Sequence, residues 1–229
     1  MLLEICANSF QSAKNAQTAG AQRIELCQEL TVGGLTPSYG LLKKVIAELT
    51  IPVFVLIRPR SGDFVYAEPE FDIMKQDISL CKELGVQGIV SGVLNKNKTI
   101  DVVRTKELLE RSRPLSFTFH RAFDELDNPV LGLNQLIELG VDRVLTSGQE
   151  SSAVDVLPLL MQFNEIARGR LTILPGGGIN AKNAAVFKTK GFTEIHASAS
   201  VQISQDQGLF SAPQTVSDLK TIKAIRDAL

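Results

Sequence analysis

The stretch Leu139-Gly140-Val141-Asp142-Arg143-Val144 holds the end of a helix, a turn and the start of a strand within six residues. Gly140 suits the left-handed conformation that stops a helix, and the β-branched residues after it begin a strand at once. The same cassette recurs at Ala19-Gly20-Ala21-Gln22-Arg23-Ile24, Leu84-Gly85-Val86-Gln87-Gly88-Ile89 and Lys190-Gly191-Phe192-Thr193-Glu194-Ile195. Successive copies lie about 50 to 65 residues apart, which leaves room for two strand-helix units per interval. PVFVLI from Pro52, PLSFTF from Pro114 and LTILP from Leu171 supply the intervening strands, and LLEIC from Leu2 makes eight.

Helix signals agree with this alternation. Pro37 and Pro129 suit first-turn positions after Thr36 and Asn128, Pro69 opens the stretch that runs to Leu84, and Asn180 is placed to cap a helix after three glycines. LNKNKT (residues 94 to 99) and QISQDQG (residues 202 to 208) read as exposed loops. Eight strand-helix units in 229 residues predict an α/β protein with a (β/α)8 TIM barrel as a single domain over residues 1 to 229. An open doubly wound sheet is the alternative.

Composition excludes several function classes. With 24 basic and 25 acidic side chains and no run of like charge, nothing forms a nucleic-acid-binding stripe or a membrane-docking helix. No apolar run approaches the roughly 20 residues that span a bilayer, and the start lacks a basic segment followed by an apolar one, so a cytoplasmic location is expected. Cys6, Cys27 and Cys81 then read as reduced thiols. The expected partner is a small anionic ligand, a metal ion or another copy of the chain; no organic cofactor is expected.

In a (β/α)8 barrel, chemistry belongs at the carboxyl ends of the strands. Two of these ends repeat a pattern: Glu4-Ile5-Cys6 returns 21 residues later as Glu25-Leu26-Cys27. Side chains alternate along a strand, so on neighbouring strands two carboxylates and two thiols would converge. Paired thiolates suit a soft ion such as Cu(I), although two small cysteines can equally fill a narrow barrel. Glu4 and Glu25 would raise the thiol pKa values unless Arg58 or His120 offsets them.

Arg58-Pro59-Arg60-Ser61-Gly62-Asp63-Phe64 puts two guanidinium forks after the third strand, suited to a carboxylate or phosphate; Arg58 is alternatively the partner of Glu4 or Glu25. Gly176, Gly177 and Gly178 follow the seventh strand, where backbone amides hold anions in many barrels, and Ser147 and Ser198 stand at neighbouring ends. In Phe117-Thr118-Phe119-His120 the alternation turns His120 inward, as the best general acid/base candidate beside Glu25 and Glu4. His196 ends the eighth strand. No lysine occupies a strand end, so a Schiff base is not expected.

Together, Glu4-Ile5-Cys6, Arg23-Ile24-Glu25-Leu26-Cys27, Gly33-Gly34-Leu35-Thr36-Pro37-Ser38, Arg58-Pro59-Arg60 with Gly62-Asp63-Phe64, Thr118-Phe119-His120-Arg121-Ala122-Phe123-Asp124, Arg143-Val144-Leu145-Thr146-Ser147-Gly148 and Glu194-Ile195-His196-Ala197-Ser198 resemble the CutC family from Met1 to about Ser200. The resemblance implies a cytoplasmic, self-associating barrel, a homodimer or higher homo-oligomer, concerned with copper homeostasis, with Cys6 and Cys27 as Cu(I) ligands. The runner-up is a metal-independent isomerase, epimerase or lyase acting on a small anionic or phosphorylated metabolite. There Arg58, Arg60 and the glycines would hold the anion while Glu25 and His120 exchange protons. Past Ser200, and at LNKNKT, the chain departs from the family pattern.

Overall fold

Strands and helices alternate along the chain in a computed structural model, which describes residues 1–204 and 213–229. The barrel strands are β1 (Leu2–Ala7), β2 (Arg23–Leu26), β3 (Val53–Leu56), β4 (Gly88–Ser91), β5 (Ser116–Phe119), β6 (Arg143–Thr146), β7 (Thr172–Pro175) and β8 (Glu194–Ala197). They form one parallel sheet in the order β7-β6-β5-β4-β3-β2-β1-β8. A parallel bridge between Gly176 and His196 joins its two edges. That seam makes the sheet a (β/α)8 barrel, because a doubly wound sheet keeps its outer strands apart.

The helices are α1 (Phe10–Ala19), α2 (Tyr39–Glu48), α3 (Glu68–Leu84), α4 (Val102–Ser112), α5 (Pro129–Leu139), α6 (Leu157–Ala167), α7 (Ala184–Thr189) and α8 (Leu219–Asp227). Gly20, Gly85 and Gly140 cap α1, α3 and α5 with φ between 77° and 87°, and Gly191 stands one residue past the cap of α7. Pro129 opens α5 behind the Asn128 side chain, and Pro69 lies in the first turn of α3. Two helix starts fall later than the sequence suggests. Ser38, not Thr36, caps α2, since its hydroxyl accepts from Leu41 N. Asn180 accepts from Lys182 N in a turn of its own, so α7 waits until Ala184.

A hairpin of β9 (Ser200–Ser204) and β10 (Gln214–Ser217) intervenes between β8 and α8. Residues 202–204, expected in a loop, therefore belong to a strand, and residues 205–208 of that expectation lie outside the described residues. Residues 94–99 form a turn closed by pairing of Leu94 with Ile100.

Alternation sorts the strand side chains into two apolar layers. Leu3, Ile5, Ile24, Val55, Phe117, Val144, Ile173 and Ile195 face the helices in the main core. Each such burial contributes about 1.5–3 kcal/mol. Inside the barrel Cys6, Cys27, Phe54, Leu56 and Val90 make a smaller cluster. Beside Phe54 an ion chain links Glu4, Arg23, Glu194 and Arg143. The Arg23 and Arg143 guanidiniums lie 4.6 and 5.3 Å from the Phe54 ring centre. No helix among the described residues is long and apolar enough to cross a membrane.

Candidate functional site at the barrel mouth

The two Glu-x-Cys ends are staggered rather than level. In the β1–β2 register Glu4 pairs with Arg23 and Cys6 with Glu25, which puts Cys27 one residue beyond β2. Cys27 N donates to Ala7 O at 3.0 Å, and the two sulfurs approach to 3.6 Å. Cys6 lines the mouth, whereas Cys27 is fully buried. Its hydrogen bond to Cys27, burial and the nearby Glu25 charge push the Cys6 thiol well above its ordinary pKa.

Glu4 lies deeper, held from both sides. His196 faces it across the β1–β8 pairing and donates from Nδ1 to Glu4 Oε1 at 2.7 Å, while Arg23 Nε donates to Oε2. Burial alone would raise the Glu4 pKa; the Arg23 charge and the His196 hydrogen bond overcome it and hold the carboxyl at about 2. His196 Nε2 is 3.5 Å from Glu25 Oε2. Burial opposes an imidazolium, but hydrogen bonds to Cys6 and Glu4 and the two carboxylate charges raise the His196 pKa well above its ordinary value. Glu25 is shifted up by burial, against the attraction of His196. Cys6, His196 and Glu4 follow the order nucleophile, base, orienter, yet the charges oppose that role. A protonated imidazole cannot take the thiol proton, and the hydrogen bond to Cys27, burial and the Glu25 charge disfavour a thiolate.

Several candidate residues take partners that the sequence did not foresee. Arg23, not Arg58, neutralises Glu4. Arg58 spends Nη1 on the Val32 and Gly34 carbonyls (2.7 and 2.9 Å) and Nη2 on the Gly62 carbonyl (2.8 Å). Arg60 points away from the mouth, binding Glu70 at 2.6 Å and Asp63 at 2.9 Å. Gly176 N–H already donates to Thr146 O at 2.9 Å, and a Cβ there would sit 2.6 Å from Leu145, so this glycine serves the seam. Gly177, Gly178 and Ser198 do line the mouth. Ser147 is buried, accepts from Arg121 Nη2 at 2.7 Å and lies 3.0 Å from Asp124 Oδ2, which ties two loops together.

His120 also differs from a proton exchanger. Its Nδ1 accepts from Ala122 N at 3.2 Å, so the proton sits on Nε2. Burial, with Arg58 nearby, lowers its pKa to about 3. The ring is a neutral hydrogen-bond donor packed 4.9 Å from Phe64.

Cys6, Glu25, Arg58, His120 and His196 border one cavity of about 560 Å³. Within it a sulfur of Cys6, a carboxylate oxygen of Glu25 and a ring nitrogen of His196 lie within 4.8 Å of one another, a spacing that could hold a metal ion. At metal–sulfur bonds of about 2.3 Å, sulfurs 3.6 Å apart subtend about 100° at a shared ion, which leaves space for a third ligand. Sequence reasoning placed His196 at a strand end but gave it no role. Closure of the barrel was the missed signal, since it makes the first and eighth strands neighbours. Arg23 was legible by parity, two residues before the inward Glu25.

Comparison with known proteins agrees with this architecture. The CutC family model matches residues 1–201. A family protein CutC from Pasteurella multocida is 49% identical over 199 residues, covering 86% of this chain and 82% of its own length. The mouse copper homeostasis protein cutC homolog is 47% identical over 209 residues, covering 91% and 76%. The crystal structure of CutC from Streptococcus agalactiae superposes with a TM-score of 0.81 at 34% identity, covering 86% of this chain and 98% of that one. By matched family, by sequence identity and by shared barrel, this chain belongs to the CutC family.

Proposed function

We propose that this protein serves copper homeostasis by taking Cu(I) as cargo on the sulfurs of Cys6 and Cys27, with His196 as a third ligand. The observation that carries this reading is the 3.6 Å approach of the two sulfurs beside His196 and Glu25. Thiolates and imidazole are the donors that soft and borderline ions prefer, and carboxylates are weaker partners for Cu(I). The naming of the mouse relative as a copper homeostasis protein supports the same reading. Reduced thiols suit the cytoplasm, and the family resemblance adds self-association as a homo-oligomer. The metal-independent isomerase, epimerase or lyase has weaker support. Glu4 is committed to an ion pair and His120 is too weak a base to exchange protons near neutrality, which leaves Glu25 alone.

Each thiol must release its proton to bind Cu(I), and so must His196 at Nε2. Titrating reduced protein with Cu(I) against a competing chelator is therefore expected to show affinity rising with pH, about tenfold per unit for each proton released. Cys6→Ser and Cys27→Ser should each weaken binding, and Cys81→Ser, on α3, should not. Unchanged affinity in the Cys6→Ser, Cys27→Ser double variant would sink the reading.

A further inference from the structure

Among the described residues Arg58 is a buried guanidinium without a counter-ion. The residue is 5% exposed, its Nη atoms donate only to backbone carbonyls, and its Nε is buried with no partner. Among the described residues no carboxylate lies within 4.0 Å of its nitrogens. Carbonyl dipoles offer partial negative charge, yet a buried cation normally meets a full opposite charge. The buried Tyr66 hydroxyl lies beside Arg58 and is its polar neighbour, but burial pushes the Tyr66 pKa up to about 12, so the phenol is neutral and cannot supply a counter-charge.

His120 supplies the second half of the observation. Its ring is fixed by the Ala122 N–H on Nδ1 and by Phe64, whose ring centre lies 4.9 Å from the imidazole and 5.0 Å from the Arg58 guanidinium carbon. The remaining Nε2–H is buried and has no acceptor among the described residues. Both residues border the mouth cavity, and neither belongs to the thiol cluster. We propose that Arg58 and His120 form a subsite for the carboxylate of a small organic acid, whose charge is the counter-ion that the fold leaves out. One carboxylate oxygen accepts from His120 Nε2–H and from Arg58, and the rest of the acid extends into the cavity that also reaches Cys6 and Glu25.

The charge count favours a carboxylate over a phosphate dianion. Arg60 is spent on Glu70 and Asp63, and Arg121, the other guanidinium at the mouth, is paired with Asp124 at 2.8 Å. Gly176 N–H is already bonded, and α7 starts at Ala184, well past the glycines, so no helix end faces an anion there. A single uncompensated positive charge matches a monoanion.

The test uses copper-free, reduced, 15N-labelled protein and follows the Arg58 Nε–H and His120 Nε2–H signals by NMR. Acetate and pyruvate should move both signals saturably, with inorganic phosphate at least several-fold weaker. Arg58→Gln and His120→Phe should each weaken pyruvate binding about tenfold, as loss of a hydrogen bond to a charged group implies. Thermal melts of both variants separate lost binding from lost fold, and the wild-type titration stands without them. Signals unmoved by either acid, the result expected if only water fills the space, would overturn the subsite. So would tighter binding of phosphate, or full pyruvate affinity in folded Arg58→Gln.

Discussion

Glu4 Oε1 and His196 Nδ1 meet at 2.7 Å across the seam side of the barrel, joining residues 192 positions apart in the chain. Arg23 holds the other oxygen of the same carboxylate, and all three groups are buried. A charge in that position is stable only while its partners are present.

Glu4→Gln leaves Arg23 with Glu194 alone and deprives His196 of the carboxylate at Nδ1, leaving it only Glu25 at 3.5 Å from Nε2. Breaking a buried pair from one side costs about 3–5 kcal/mol, so this variant should lose roughly that much in urea unfolding. A loss below about 1 kcal/mol would mean that the ion chain does not support the barrel.

The two histidines should pull stability in opposite directions with pH. His120 has a folded pKa of about 3 against an ordinary 6.5, so below 6.5 the unfolded chain binds a proton that the folded one refuses. Stability is then lost as pH falls from 6.5 toward 3, on the order of 1 kcal/mol per unit, and His120→Phe should flatten that limb. His196 has a raised pKa, so its contribution is full below 6.5 and is lost as pH rises through the folded value. Imidazole 15N shifts check both assignments: His120 should stay neutral at pH 5 and His196 should titrate above its ordinary 6.5. A His120 that titrates near 6.5 would refute its placement.

Gly88 faces the barrel interior, where a Cβ would meet the Phe54 ring at 2.6 Å. Phe54 packs against both the Arg23 and Arg143 guanidiniums, which restricts its room to swing aside. Gly88→Ala should therefore cost about 1–3 kcal/mol by overpacking, read as a lower denaturation midpoint, although alanine suits a strand better than glycine. A neutral or stabilising result would show that the Phe54 sandwich has slack.

The strand-helix alternation was legible because glycine caps such as Gly85 and Gly140 mark helix ends locally. Strand parity likewise turned Glu4, Cys6, Glu25 and His120 toward the interior. Stagger was not legible: nothing in Glu4-Ile5-Cys6 or Glu25-Leu26-Cys27 shows that Cys6 pairs with Glu25, because register is a property of two strands together. The partner of Glu4 was misread for the same reason, since Arg58 and Arg23 are equally charged in sequence and only the ladder puts Arg23 beside Glu4. Arg60 was misplaced because a loop after a strand can turn toward Glu70 on the outside as readily as over the mouth.

The Gly176–His196 bridge closes the barrel at the edge of the site itself. An imidazole on the eighth strand thus reaches the carboxylate and thiol of the first only after six other strands are in place. Such long-range contacts form late, since loop closure must precede them. A chain still short of its eighth strand carries Cys6 and Cys27 but lacks His196, so the proposed ligand set is whole only once the barrel is complete.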